Sequence, residues 1–235
     1  MQRYPMAASV AVADLVAGPR RRVAVVAATP HAVYLDAGDG ALALVGPRAV
    51  RVPCGLLLAD APPPLAGVGW VGDSELSVGI FRAGVTRWWR PPRPRAVTGV
   101  LPGYGHLDHG TERALTRLTA ALAARASLTA PVRGLLGRGP GLTPLGDDVL
   151  AGLLVTLRAL GSPEADRLGG VVCALAPART TFVSTALLRH AARGECVPEL
   201  AAYLTAERKG PAAAALLGIG HTTGAGLLRG AEAAA

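Results

Sequence analysis

The sequence predicts an α+β protein in which a small β-barrel or sandwich precedes a helical module. Three observations predict this arrangement. Short apolar runs separated by Gly and Pro fill the first part of the chain, as is typical of strands in a small barrel or sandwich. The proline-rich segment 91–94 then interrupts any sheet, because proline donates no ladder hydrogen bond. Beyond it, apolar residues recur at helical spacing. We therefore expect a β-rich module over residues 1–95 and a helical module with glycine-rich loops over residues 96–235.

The predicted strands of the first module follow one another at short intervals. They cover residues 23–27, 31–35, 41–45, 49–52, 56–58, 76–81 and 85–89, the last two as a hairpin. The segment 36–40 has turn chemistry, with two glycines that tolerate positive φ.

The predicted helices of the second module are placed by their stop and start signals. Thr111 is the expected N-cap of a helix through Ala124, with Leu115, Leu118 and Leu122 on one stripe. Thr181 is expected to cap another helix, which Gly194 ends. Further helices are predicted over 148–160, 198–208 and the alanine-rich end from residue 212.

The composition excludes several classes of protein. Hydrophobic residues make up 51% of the chain and charged residues 17%, which is typical of a globular protein and not of a disordered one. The formal net charge of +8 comes almost entirely from arginine, and aromatic content is only 4%. We therefore expect no nucleic-acid partner, since stacking platforms are few. No apolar run reaches the ~20 residues of a membrane span, and a cytoplasmic location is expected.

Cysteine usage indicates neither a disulfide framework nor a zinc site. Cys54, Cys173 and Cys196 are odd in number and far apart, without a Cys-x-x-Cys pair. Each is expected to behave as a small buried apolar residue.

The segment Gly137–Asp148, here called the first glycine-rich segment, is the most unusual stretch of the chain. Its sequence GRGPGLTPLGDD combines four glycines with two prolines and leads directly into a helix. Such a backbone is suited to close approach by a ligand, and a helix start favours anions. Arg138 could add a bidentate contact to a phosphate or carboxylate. The predicted substrate-binding residues here are Gly137, Arg138, Gly139, Gly141 and Thr143.

Asp147 and Asp148, at the loop–helix junction, have two interpretations. They could hold a Mg²⁺ ion that bridges to phosphate, or one of them could act as a general base. Alternatively, one of them is simply the N-cap of the helix that follows. A magnesium cofactor is thus possible, with both aspartates as the predicted ligands.

The second glycine-rich segment, Gly218–Gly226, combines an imidazole with two hydroxyl groups at another helix start. His221 is a candidate acid–base or hydrogen-bond-donating group. Gly220, Thr222 and Thr223 are predicted to bind substrate; alternatively, one of the threonines caps the helix and His221 bonds to backbone. The similar design of the two segments predicts that both line one cleft.

Other polar residues are weaker candidates. Thr180, Thr181 and Ser184 are adequately explained by helix capping, and Glu195 is expected to be solvated. His106, Asp108 and His109 have a spacing that could hold a metal, but exposed loop residues are the expected outcome.

Three motifs identify a family resemblance. They are GxGPGLTPxGDDxLxG at Gly137–Gly152, SxxLLRHAxxGE at Ser184–Glu195, and GHTTGAGLLxG at Gly220–Gly230. Together they resemble a bacterial family whose best-known branch is the small subunit associated with oxamate carbamoyltransferase in anaerobic allantoin breakdown, earlier described as a putative carboxylase. The segment Val52–Leu56 also resembles the opening β region of that family. This chain departs from the carbamoyltransferase branch in being compact and alanine-rich, so a branch with another substrate is the alternative.

The resemblance implies phosphorolysis of a carbamoylated oxamate to oxamate and carbamoyl phosphate, carried out with partner subunits. We accordingly predict an enzyme or enzyme subunit that binds a small anionic substrate. Asp147, Asp148 and His221 are its expected catalytic residues, and partner subunits or a homo-oligomer are expected. The alternative is a non-catalytic assembly subunit, in which the glycine-rich segments pack helices and Trp88 and Trp89 contact a partner.

Overall fold

The computed structural model describes residues 3–103 and 106–234. Contacts between Cα atoms divide the chain into two compact units, Met1–Pro91 and Pro92–Ala235. The first unit contains the strands and the second the long helices, so the predicted α+β class is confirmed.

The first unit is a closed β-barrel. Its strands are β1 (Tyr4–Ser9), β2 (Arg21–Ala28), β3 (Ala32–Asp36), β4 (Ala41–Val45), β5 (Gly55–Leu58), β6 (Val68–Gly72), β7 (Glu75–Val78) and β8 (Phe81–Trp89). They are ordered β1-β5-β4-β3-β2-β6-β7-β8, and a parallel pairing of β1 with β8 closes the barrel. The short helix α1 (Ala13–Val16) lies between β1 and β2 along the chain.

Burial of strand residues explains the barrel core. All five residues of β4 are buried, and Met6, Leu56 and Leu76 on other strands are almost inaccessible. Residues 49–52 were predicted as a strand but form none, and β1 and β6 were not predicted. Both additional strands are needed for closure, because β1 joins β5 to β8 and β6 joins β2 to β7. The predicted last hairpin is present, but its turn falls at Gly79–Ile80.

The second unit is helical. Its helices are α2 (His109–Ala123), α3 (Thr129–Leu135), α4 (Leu145–Ala159), α5 (Glu164–Leu175), α6 (Phe182–Ala192), α7 (Pro198–Thr205), α8 (Lys209–Leu217) and α9 (Thr223–Glu232). Helices α3 and α5 were not predicted, since Pro131 and Gly134 in the first and Gly169–Gly170 in the second weaken the helical pattern.

Helix termini differ from expectation at two places. Asp108, not Thr111, is the N-cap of α2; its carboxylate accepts from the backbone N–H groups of Gly110 and Thr111. The predicted cap at Thr181 is confirmed, with its hydroxyl accepting from Ser184 N–H. Helix α4 begins three residues before its predicted start, with Pro144 at the N-cap position.

Helices α4 and α9 pack closely together, and glycine makes that approach possible. A Cβ atom added at Gly152 of α4 would overlap the carbonyl oxygen of Leu227, and one at Gly230 of α9 would overlap that of Val149. An added Cβ at Gly226 would lie 2.7 Å from the Cβ of Asp148. The start of α9 is thereby fixed against the start of α4.

None of the helices in the part of the chain that the structure describes has the length and hydropathy to cross a membrane. The three cysteines are free thiols; Cys54 and Cys196 are buried, and Cys173 is partly exposed.

Candidate functional site

The candidate site lies where the loop before α4 meets the first residues of α6 and α9. The hydroxyl oxygens of Thr143 and Thr223 are 3.0 Å apart, so the two glycine-rich segments meet. The start of α6 joins them, because the Thr181 hydroxyl donates to the carbonyl oxygen of Leu142 at 2.6 Å. Three helix starts therefore surround one group of polar side chains.

The glycines of the two segments adopt backbone conformations that other residues disfavour. Gly137, Gly139, Gly141 and Gly220 all have positive φ, between +56° and +106°. A Cβ atom at Gly137 would also overlap the carbonyl oxygen of Arg179, whereas one at Gly141 would meet nothing within 4 Å. Positive φ thus explains why glycine occupies these positions. At Gly141 the space beside the Cα atom is open.

Asp147 holds the glycine loop against α6. One carboxylate oxygen accepts from the Gly137 N–H at 2.8 Å, and the other accepts from the Thr180 hydroxyl. Burial raises the pKa of this carboxyl group, while the bonds from Thr180, Gly137 and Ser184 act in the opposite direction. Asp147 therefore lies at the centre of the contacts that position the loop.

Asp148, by contrast, has an unpaired oxygen. Its side chain is only 6% exposed, and its Oδ2 atom is buried without a hydrogen-bond partner. Burial raises the pKa of this carboxyl group to about 8; the Asp147 carboxyl adds to the rise, and the hydroxyls of Thr223 and Thr143 oppose it. Buried polar groups in proteins are almost always paired, so an exception in such a place marks a candidate for ligand binding or proton exchange.

The interpretation of either aspartate as a helix cap is wrong. Both residues lie inside the first turn of α4, and the cap position is occupied by Pro144. The first N–H groups of α4 donate within the chain, that of Gly146 to Arg138 O at 2.9 Å and that of Asp147 to Pro144 O at 2.9 Å. The Asp147 carboxylate accepts from Gly137 and Thr180 instead.

Arg138 is directed toward the start of α2. Its Nε donates to the Thr111 hydroxyl at 2.9 Å, and its Nη2 lies 3.6 Å from the Asp108 carboxylate. Gly110 makes room for this guanidinium, since a Cβ atom there would overlap Nη2.

The second glycine-rich segment places its polar groups at the start of α9. Thr222 occupies the N-cap position, but its side chain makes no capping hydrogen bond. Thr223 bonds to Thr143, and His221 and Gly220 are exposed just before the helix. His221 is thus adjacent along the chain to the threonines that meet the first segment.

Sequence reasoning missed two features of the region. Thr180 was assigned to capping, but its hydroxyl donates to Asp147, and Thr185 has a buried hydroxyl oxygen without a partner. The SxxLLRHAxxGE motif, which contains Thr185, was the signal that could have found this helix start. The expectation of a solvated Glu195 is wrong: it is buried and contacts Nδ1 of His190 at 2.6 Å.

Within the residues that the structure describes, no group of three or more His, Cys, Asp or Glu side chains could hold a metal ion. Asp147 and Asp148 alone fit magnesium poorly, because both oxygens of Asp147 already accept hydrogen bonds and burial disfavours the ionised form of Asp148. Mg²⁺ at these two residues stays a prediction, and the chemistry proposed here does not depend on it.

The protein thus consists of a β-barrel followed by a helical unit, in which the buried carboxyl group of Asp148 lies where the starts of α4, α6 and α9 meet. A family model described as oxamate carbamoyltransferase subunit AllH matches residues 135–235. The match covers α4 to α9 and all three motifs, and it confirms the family resemblance inferred from them. The likeness at Val52–Leu56 lies outside the matched range. No solved structure matches this chain.

Proposed function

We propose that this chain is a subunit of a carbamoyl-transferring enzyme and that Asp148 exchanges a proton with the substrate. The observation that carries the proposal is the buried, partnerless Oδ2 atom of Asp148 at the junction of the two glycine-rich segments. The family match over residues 135–235 supports the reaction class.

The chemistry of Asp148 follows from its environment. A carboxyl group with a pKa near 8 is largely protonated at neutral pH, yet it can lose and regain its proton readily. In phosphorolysis of a carbamoylated oxamate, a phosphate oxygen attacks the carbamoyl carbon and the bond from that carbon to the oxamate nitrogen breaks. Asp148 donates its proton to the departing nitrogen and regains one from solvent, into which the attacking hydrogen phosphate releases its own proton. The products are carbamoyl phosphate and oxamate, with charge and protons balanced.

Neighbouring residues take supporting roles in this proposal. Asp147 is a positioning residue, because it fixes Gly137 and Thr180 and thereby the loop that carries Thr143. Thr143, Thr222 and Thr223 supply hydroxyl groups for the reacting carbonyl, and His221, exposed beside them, faces the substrate from the solvent side. The glycines at 137, 139, 141 and 220 allow the backbone to reach these positions.

Replacing Asp148 by asparagine tests the catalytic role. The carboxamide keeps the shape of the side chain but cannot exchange a proton, so we expect kcat to fall by roughly 10²–10⁴-fold. The measurement is carbamoyl phosphate formation by the chain together with the subunits that co-purify with it. Asp166→Asn is the matched control, since Asp166 is 78% exposed and pairs with Arg158. Full turnover in Asp148→Asn, with the control also active, would refute the role of Asp148.

A non-catalytic assembly subunit is the second candidate, favoured by exposed aromatic side chains on the barrel. Trp88 is 39% exposed and Trp70 is 52% exposed, whereas Trp89 donates from Nε1 to the carbonyl oxygen of Gly55 at 3.2 Å. Trp88 and Trp70 are therefore the tryptophans available as interface anchors, and Trp89 has a structural contact.

Under this second candidate, Trp88→Ala is expected to abolish co-purification with partner subunits, because a buried aromatic anchor contributes ~2 kcal/mol or more to binding. The measurement is an affinity pull-down from cells that produce the partner subunits. Arg82→Ala, an exposed substitution elsewhere on β8, is the control. Unchanged recovery of partners with Trp88→Ala would count against an interface at this strand.

A further inference from the structure

The groups that shift the pKa of Asp148 are uncharged or acidic. Its pKa responds to burial, to the hydroxyls of Thr223 and Thr143, and to the Asp147 carboxyl. Asp147 in turn responds to burial, to two hydroxyls and to a backbone N–H. Among the described residues, no Arg, Lys or His contributes to either shift. The Asp147 carboxyl, which raises the pKa of Asp148, would likewise disfavour a phosphate or carboxylate placed directly against Asp148.

The one cation of the first glycine-rich segment does not supply that charge. Arg138 contacts Thr111 and Asp108 at the start of α2. Its guanidinium thus has partners at the start of α2, where the absence of a side chain at Gly110 leaves room for it.

The polar atoms of this site are suited to an uncharged ligand group that both donates and accepts hydrogen bonds. The Oδ2 atom of Asp148 has no partner, and the Thr143–Thr223 hydroxyl pair, in which either oxygen can be the donor, lies beside this carboxyl group. A terminal –CO–NH₂ group fits these atoms. Its N–H groups can donate to the Asp148 carboxyl oxygen, and its carbonyl oxygen can accept from a threonine hydroxyl.

We propose that this site receives the uncharged carbamoyl end of the substrate, with Asp148 and the Thr143–Thr223 pair as its specificity-determining residues. The inference rests on the proposed function and specifies which end of the substrate lies against Asp148. The charged end of the substrate, phosphate or carboxylate, then faces away from the two aspartates toward cations outside this cluster. Access is available, since Thr143 and Thr223 are partly exposed and residues 139–142 and 220–221 that adjoin them are exposed.

Three small anions test this inference directly. Oxamate, pyruvate and oxalate share one carboxylate and differ in a single group, which is NH₂, CH₃ or O⁻. We expect the full-length chain to bind oxamate roughly tenfold or more tightly than either analogue, because a site with an unpaired buried carboxyl group discriminates against a ligand that cannot satisfy it. The measurement is isothermal titration calorimetry at neutral pH and constant ionic strength. Equal affinities, preference for oxalate or pyruvate, or binding of none of the three would overturn the inference.

Two substitutions at Asp148 test whether this residue causes the preference for oxamate. Asp148→Asn retains a donor and an acceptor, so the preference for oxamate is expected to persist. Asp148→Ala removes both, and oxamate and pyruvate should then bind alike. Should the alanine variant fail to fold by circular dichroism, Thr223→Val provides the second test and is expected to reduce the preference severalfold. A preference for oxamate that survives both Asp148→Ala and Thr223→Val would overturn the assignment of these residues.

The inference and the proposed function fail in different ways. If wild-type protein binds oxamate and oxalate equally while Asp148→Asn abolishes turnover, the carbamoyl assignment is wrong and the catalytic role stands. If Asp148→Asn retains turnover while oxamate is still preferred, the catalytic role is wrong and the binding assignment stands.

Discussion

Replacing Gly230 with alanine is expected to lower the free energy of unfolding of the helical unit by about 3 kcal/mol. A Cβ atom at this position would overlap the carbonyl oxygen of Val149 and lie 2.9 Å from the backbone nitrogen of Leu153. Both obstacles are backbone atoms of α4, so the two helices must separate to admit the methyl group. Denaturant unfolding followed by far-ultraviolet circular dichroism measures the change.

Gly170→Ala is the matched control for this prediction. Gly170 also lies within a helix, α5, but an added Cβ would meet nothing within 4 Å. There the usual advantage of alanine in a helix applies, and a gain of about 0.5–1 kcal/mol is expected. If Gly230→Ala also stabilised the protein, the close packing of α4 against α9 would be wrong.

The second large effect is a dependence of stability on pH that is caused by Asp148. Its pKa is raised from 3.8 to about 8 in the folded protein, so between these values the unfolded chain has lost the proton that the folded chain retains. Its favourable contribution is complete below pH 4 and is lost as the pH rises through 8. The free energy of unfolding should therefore fall by up to about 1.4 kcal/mol per pH unit in this window, or at most roughly 6 kcal/mol in all. Asp147, whose pKa is also raised, adds to the same trend.

Asp148→Asn is expected to flatten this dependence and to make the protein more stable than wild type at pH 8. The asparagine side chain is neutral in both states, so the cost of ionising a buried carboxyl group disappears. The measurement is a series of urea unfolding curves from pH 5 to pH 8. Asp166→Asn, at an exposed position, should leave the slope unchanged. Parallel pH profiles for wild type and Asp148→Asn would show that Asp148 titrates normally.

Local sequence signals predicted several elements correctly because the deciding interactions are short-range. The Thr181 cap acts on a residue three positions away, and Gly194, with φ of +79°, lies directly after the C-cap of α6. Strand β4 could be recognised because an apolar run between turn signals is typical of a buried strand.

Other elements depended on partners that the sequence does not reveal. β6 has the pattern Val-Gly-Trp-Val-Gly, which is weak as an isolated strand, and it forms because β2 and β7 lie on either side of it. Helix α4 begins at Leu145, with Pro144 at the N-cap position, and the Asp147 carboxylate bonds to Gly137 and Thr180, which lie outside this helix.

The sequence by itself determined the change from strands to helices, the two glycine-rich segments and the family motifs that contain them. Only the tertiary structure decided that both oxygens of Asp147 are paired, that Oδ2 of Asp148 is not, and that Arg138 contacts the start of α2. The contact between Thr143 and Thr223 joins positions 80 residues apart, and that between Asp147 and Thr180 joins positions 33 apart. Burial and hydrogen-bond pairing set the protonation state of a carboxyl group, and both depend on residues that only the folded chain brings together.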